Sequence, residues 1–177
     1  MRNKIVFLII ICIMILSCSP PPSIYRREGF TNNLIRRISI GIVEITGYES
    51  NTAENKISEQ FLIRGVKIVE RAKINKILQE HSFQQTGYID NSTAVEIGNI
   101  IGVPAIFIGN VSSPSETNTA NLRDNTWSSF SVTFTGRIIS VKTGEILLSG
   151  SASGKRGHPN YAMLDAIDKF FHEVFDK

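Results

Sequence analysis

Twelve consecutive apolar residues, Ile5 to Leu16, open this chain behind a short basic start of Arg2 and Lys4. The run is shorter than the roughly 20 residues a helix needs to cross a hydrocarbon core. A basic start, a short apolar run and a small residue before a cut site are the parts of a secretory signal peptide. Both cysteines, Cys12 and Cys18, lie inside this stretch or just past it. Whatever folds downstream must therefore be held by its apolar core, without a disulfide framework.

The sequence Ile15-Leu16-Ser17-Cys18, followed by Ser19 and the prolines Pro20 to Pro22, resembles the lipobox of bacterial lipoproteins. That resemblance implies cleavage before Cys18 and acylation of its thiol and new amino group. A plain signal with an incidental cysteine, or an uncleaved anchor, are the alternatives. Residues 1–17 are expected to be a lipoprotein signal peptide and Cys18 the lipidation site. Each buried acyl methylene contributes roughly 0.8 kcal/mol, so two or three chains hold a protein on a membrane surface without spanning it. Ser19 stands where lipoproteins retained at the inner membrane of enterobacteria carry Asp. By the same resemblance this favours the outer membrane, on its periplasmic side.

Residues 18–33 read as the lipidated cysteine and a proline-rich tether. Consecutive prolines extend as polyproline II at about 3.1 Å per residue. The Arg26-Arg27 pair is either solvated or in touch with anionic headgroups. The whole chain carries 19 Lys+Arg against 16 Asp+Glu, but loss of Arg2 and Lys4 leaves 17 basic residues, close to neutral. A near-neutral domain lacks the basic footprint that nucleic-acid binding requires.

Residues 34–177 are expected to form one α/β domain with a mixed sheet flanked by helices, in the order β-α-β-α-α-β-β-β-α. A strand is predicted over 37–45, rich in β-branched residues. A helix over 54–64 is closed by Gly65, and a short strand follows at 66–70. Ile74, Ile77, Leu78 and His81 share one face of a helix over 73–81. Residues 85–91 read as a loop. Thr93 to Glu96 has capping-box spacing and opens a helix to Ile101. A strand at 105–111 precedes a long polar loop over 112–128. Alternation from Phe130 to Ile138 predicts a half-buried strand, joined through a turn at 141–145 to a partner over 146–153. A final helix spans 161–175, with Leu164, Ile167, Phe171 and Val174 on one face.

Motifs that carry chemistry are scarce. His81, His158 and His172 have no metal-ligand spacing, and no second histidine follows His172-Glu173 at the zincin distance. Lys142-Thr143-Gly144 lacks the accompanying Ser-x-x-Lys nucleophile and reads as a hairpin turn. Gly150 to Lys155 is one residue short of a phosphate-binding loop, and Arg156 replaces its hydroxyl. No cofactor, nucleotide or metal is therefore expected. A non-enzymatic protein is expected, with a hydrolase built on Glu44, Glu49 and Asp90 left as a minor alternative.

Several segments resemble, in order, the curli secretion-channel lipoproteins, the CsgG family. They are Val66 to Arg71, Ile77 to Glu80, Gln85 to Gly87, Ile97 to Gly109, and Gly136 to Leu147. The resemblance implies a lipid-anchored envelope protein acting by protein–protein contact in envelope assembly or export, with a protein partner or further copies of itself. Channel members insert two membrane hairpins per subunit. Here the corresponding stretches, 112–126 and 149–161, contain Glu116, Arg123, Asp124, Lys155, Arg156 and Pro159, which are costly against lipid. A barrel is not expected from this chain alone. Related lipoproteins that activate penicillin-binding proteins are the alternative reading, and a pore subunit is a lesser one. Trp127, beside the polar loop, and Phe170 and Phe175, beside the main apolar stripe of the last helix, are the candidate contact residues.

Overall fold

A computed structural model describes residues 21–69, 74, 76, 79, 90–120 and 126–176. The expected signal peptide, Cys18, the loop over 85–89 and most of the helix over 73–81 lie outside them. Ile74, Lys76 and Gln79 are helical, as that stripe predicts.

Among the described residues seven strands form one mixed sheet with four helices. The strands are β1 (Ser23–Arg26), β2 (Ser39–Gly47), β3 (Lys67–Val69), β4 (Ala105–Val111), β5 (Ser115–Ala120), β6 (Thr126–Ser140) and β7 (Ile146–Arg156). The helices are α1 (Asn32–Arg37), α2 (Ser50–Ile63), α3 (Asn91–Ile101) and α4 (Pro159–Phe175). The strand order is β1-β7-β6-β4-β2-β3, with β5 paired to β6. The pairs β2–β3 and β2–β4 are parallel, and the others are antiparallel.

Strand β4 shows why the sheet needs helices on both faces. Its run AIFIG is buried throughout, as expected of a strand covered on two sides. Ala105 and Phe107 enter one core with α2 and α4, whereas Ile106 and Ile108 enter the other with α3 and Ile74. On β2 a bulge places both Val43 and Glu44 opposite the step from Phe107 to Ile108. The extra residue lets Ile42 and Ile45 both reach the α2/α4 core.

Gly65 ends α2 as expected. Its φ is +73°, and the amides of Gly65 and Val66 donate to the carbonyls of Leu62 and Phe61. The start of α3 differs from the expected capping box. Asp90 is the cap, and its carboxylate accepts from the Thr93 amide at 2.8 Å and from the Ser92 hydroxyl at 2.9 Å. An anionic acceptor at this position satisfies a free amide and complements the helix dipole. Those hydrogen bonds, first of all from the Thr93 amide, hold its carboxyl below the ordinary carboxylate range.

Two stretches expected to be irregular are ordered. Part of the expected tether folds, because β1 pairs with Leu148 to Ser151 of β7, and α1 follows, capped by Thr31. The expected loop over 112–128 is largely a hairpin of β5 and the start of β6. Its sequence is polar because Ser115, Glu116, Thr117 and Ser128 are all exposed. A hairpin without a buried face leaves no alternating apolar signal.

Candidate functional site

Of the residues singled out in the sequence as sites, Phe170 and Phe175 have described side chains. Cys18 lies outside the described residues. Trp127 is on β6, opposite Thr119 of β5, and its side chain also lies outside them. Phe170 and Phe175 are core residues, 1% and 6% exposed, so neither offers a surface to a partner. The stripe on α4 is wide because the helix has two neighbours. Phe170 meets Phe134 of the sheet at 5.1 Å, and Phe171 meets Phe61 of α2 at 4.8 Å, both edge-to-face. Among the described residues no three His, Cys, Asp or Glu side chains are grouped to hold a metal ion. No described helix is long and apolar enough to cross a membrane.

The two ends of the sheet differ in character. At one end the last turn of α4 is clasped by the N-terminal segment. Arg26 donates to the Val174 carbonyl and, at 2.7 Å, to Asn32 Oδ1, while Asn32 Nδ2 donates to the Phe175 carbonyl at 3.0 Å. These are carbonyls that a helix end leaves without an internal partner. Arg27 pairs with Glu145 in the turn between β6 and β7. Arg64 bonds Asp176 at 3.2 Å and lies 5.7 and 5.6 Å from the ring centres of Phe171 and Phe175. This end is closed and built for stability.

The other end is open. Strand β4 breaks at Ser112 to Pro114 and resumes as β5 along the same side of β6. Across the break the Ser112 amide donates to the Thr133 carbonyl, and the Ser112 hydroxyl accepts from the Thr133 amide, each at 2.9 Å. Pro114 has no amide hydrogen to give. Strand β7 ends at Arg156, opposite Phe130, so Thr126 to Ser129 pair only with β5 and the hairpin projects past the sheet.

Beside this end is a groove of about 500 Å³, lined by Arg156, Gly157, His158, Tyr161, Leu164, Asp165 and Asp168. His158 caps α4 and contacts the Tyr161 ring edge-on at 5.7 Å. Tyr161 is exposed, as are Tyr25, Leu62 and Ile63 elsewhere on the surface. The charges of the groove are already matched. Asp165 takes Arg156 at 2.6 Å and Lys169 at 2.9 Å, and Asp168 takes Lys56 at 3.3 Å and Gln60 at 3.0 Å.

Burial alone would raise the Asp165 carboxyl, but hydrogen bonds and charge from Lys169 and Arg156 outweigh it and hold it below the ordinary range. Asp176 is also lowered: its hydrogen bond with His172 is the largest cause, and with the charge and hydrogen bond of Arg64 it outweighs the opposing effect of burial. A carboxyl depressed in the folded state stabilises above its unfolded value near 3.9, and that contribution is lost as pH falls through the folded value. The melting temperature should therefore fall more steeply between pH 5 and pH 3 (about one unit either side of that value) in the wild type than in an Asp165→Asn/Asp176→Asn double variant. Melts followed by circular dichroism test this, and parallel curves would reject the assignment.

The family model for the curli production assembly/transport component CsgG matches residues 62–159. That span runs from the last turn of α2 to the first residue of α4. No curated protein matches the sequence. Among solved structures, the chain is similar to lipoprotein GNA1162 from Neisseria meningitidis, with 13% identity and a TM-score of 0.54 over 78% of this chain and 98% of that one. It is also similar to a PelC dodecamer from Paraburkholderia phytofirmans, with 13% identity and a TM-score of 0.53 over 88% and 99%. The LpoB C-terminal domain from Salmonella enterica is more distant, at 15% identity and a TM-score of 0.45 over 66% and 81%. At these identities the structural likenesses speak for the fold alone.

Proposed function

Because the chain belongs to the CsgG family, we propose that it is a lipid-anchored protein of the bacterial cell envelope that acts through protein contacts. The observation that carries this reading is the family match over residues 62–159, which takes in the projecting hairpin and reaches the rim of the groove. The lipobox-like Ile15 to Cys18 supplies the anchor. PelC is a dodecamer, and self-association is included among the contacts proposed here.

In this reading the anchor joins the domain at one end of the sheet. Strand β1 runs antiparallel to β7, from Ser23 opposite Ser151 to Arg26 opposite Leu148. The chain therefore enters the sheet from the end where the hairpin projects. Cys18 stands five positions before Ser23, a span of about 15 Å if extended as polyproline II. Acylation at Cys18 holds the hairpin end toward the bilayer and leaves the clasped end facing the periplasm.

The test is fractionation of Cys18→Ser against the wild type, with labelled palmitate to follow acylation. The wild type should take up label and stay with membranes after a carbonate wash. Cys18→Ser should lose the label and pass into the soluble fraction. A Cys18→Ser form that stays with washed membranes would overturn the anchor.

A further inference from the structure

Three chain segments meet beside the last turn of α4, at the clasped end of the sheet. Arg26 and Asn32 tie the start of α1 to the carbonyls of Val174 and Phe175, and Arg64, just past α2, bonds Asp176. The parallel ladder sets Ser39, two residues beyond Arg37, beside Lys67. Neighbouring strands lie about 4.8 Å apart, so the end of α1, the end of α2 and the start of β3 share one corner.

This corner carries charge of one sign. Arg36, Arg37 and Lys67 are exposed, and among the described residues no carboxylate pairs with them. The acids nearby are already engaged. Asp176 is bonded by Arg64 and His172, and Glu59, one turn before Ile63, by Lys56 at 3.3 Å. On the β1 side of α1, Glu145 is paired with Arg27 and Glu28 is exposed. Cations at the end of α1 complement a helix C-terminus, and a lysine on an edge strand deters unwanted pairing.

Those roles account for the charges but not for the aliphatic side chains among them. Among the described residues five large hydrophobic side chains are exposed, and three of them, Leu34, Leu62 and Ile63, belong to this corner. Leu34 is three positions before Arg37 on α1, so the two share a face. The buried residues of α2 are Ala53, Ile57, Gln60 and Phe61, which leaves Leu62 and Ile63 on the outer side of its last turn. Single exposed hydrophobics are ordinary, but a group of them rimmed by polar residues marks a binding surface.

Charge and apolar surface together define the occupant. A polyanionic glycan or a lipid headgroup would satisfy the cations and offer nothing to the three aliphatic side chains. With Cys18 acylated as proposed, this corner also faces away from the bilayer. An acidic protein segment that carries large apolar side chains satisfies both. The clasp fixes the corner beforehand, so docking orders little of this chain.

We infer that the corner formed by Leu34, Arg36, Arg37, Leu62, Ile63 and Lys67 docks an acidic segment of a partner protein that also carries large apolar side chains. This deepens the reading of the chain as a contact protein and rests on it.

The test selects displayed peptides of random sequence against the full-length protein in detergent. Bound sequences should be rich in Asp or Glu together with Leu, Ile or Phe. Fluorescence polarisation with these peptides should show at least about tenfold weaker binding to Arg37→Glu/Lys67→Glu. Leu62→Ser/Ile63→Ser should weaken it comparably, and Lys155→Glu, at the other end of the sheet, should not. Should the serine pair misfold, Leu34→Ser carries the apolar half of the test. Raising salt from about 0.1 M to about 1 M shortens the screening length from about 10 Å to about 3 Å, and should weaken the wild type more than the charge-reversed variant. Selected peptides without acidic residues, or binding unchanged in either double variant, would overturn the assignment. Polyglutamate or phosphatidylglycerol vesicles that bind as tightly as the selected peptides would reduce the corner to a surface for anions and equally overturn it. A protein mass by light scattering that falls in Arg37→Glu/Lys67→Glu would give the corner to a second copy, with the same consequence. The membrane fractionation of Cys18→Ser does not depend on these residues, so the two readings fail separately.

Discussion

Replacing Phe107 by alanine should lower the unfolding free energy by about 3–5 kcal/mol, the range found for buried Phe→Ala changes. Phe107 is fully buried at the middle of β4. Its ring lies 5.1 Å from Phe61, and 6.4 Å from each of Phe134, Phe170 and Phe171. It therefore joins three separate elements: α2 through Phe61, β6 through Phe134, and α4 through Phe170 and Phe171. Truncation removes the transfer free energy of the ring and leaves a cavity walled by other rings. Those rings are held edge-to-face by their own partners and cannot collapse inward without losing those contacts, each worth about 0.5–1.5 kcal/mol. For a domain of this size the change corresponds to a drop of roughly 10 °C in melting temperature. Urea unfolding followed by circular dichroism checks the magnitude. Phe107→Leu fills most of the volume and should cost less than half as much. A loss below about 1 kcal/mol, the level of an ordinary substitution, would mean that this cluster is not where the layers are tied together.

The same cluster shows what a sequence reveals and what it hides. The strand at 105–111 was legible as a short continuous apolar run, and the helix over 161–175 because its apolar residues repeat at the period of a helix. The closure at Gly65 was legible because a glycine just past an apolar stripe has a local job. Phe170 and Phe175 were misplaced for a reason no periodicity can correct. A stripe sized for one neighbour looks too wide when the helix has two, and only the fold brings α2 alongside.

Strands β1 and β5 were missed for a related reason. Neither SIYR nor SETNTA carries an alternating apolar stripe; β1 exists through hydrogen bonds to a strand far away in sequence, and β5 through a polar hairpin with the start of β6. Ser23 bonds with Ser151 across 128 positions, and Arg26 reaches Val174 across 148.

A single added methyl group is expected to have a large effect at Gly154, on β7 under α4. An ideal Cβ there would sit 2.0 Å from the carbonyl oxygen of Ala162 and 2.6 Å from the amide nitrogen of Ala166. Both are backbone atoms of α4, held by the helix's own hydrogen bonds, so neither can give way alone. The helix sits this close because Ala162 and Ala166, one turn apart, present only methyl groups to the strand. Gly154→Ala must therefore lift α4 as a unit and loosen Phe170 and Phe171 against the sheet. Overpacking of a core ordinarily costs about 1–3 kcal/mol, and a clash with backbone belongs at or above the top of that range. Gly109→Ala provides the contrast. Its added methyl would meet the Ile45 Cδ1 atom at 2.9 Å and the edge of the Phe134 ring at 3.0 Å, both ends of side chains. Shortening Ile45 to valine should recover part of the loss in Gly109→Ala. In Gly154→Ala no truncation is available, since both facing residues are already alanine, and a Gly154→Val variant should fail to fold. Chemical denaturation of the two alanine variants, with and without Ile45→Val, separates the cases. A Gly154→Ala protein as stable as the wild type would show that α4 rides higher on β7 than these distances place it.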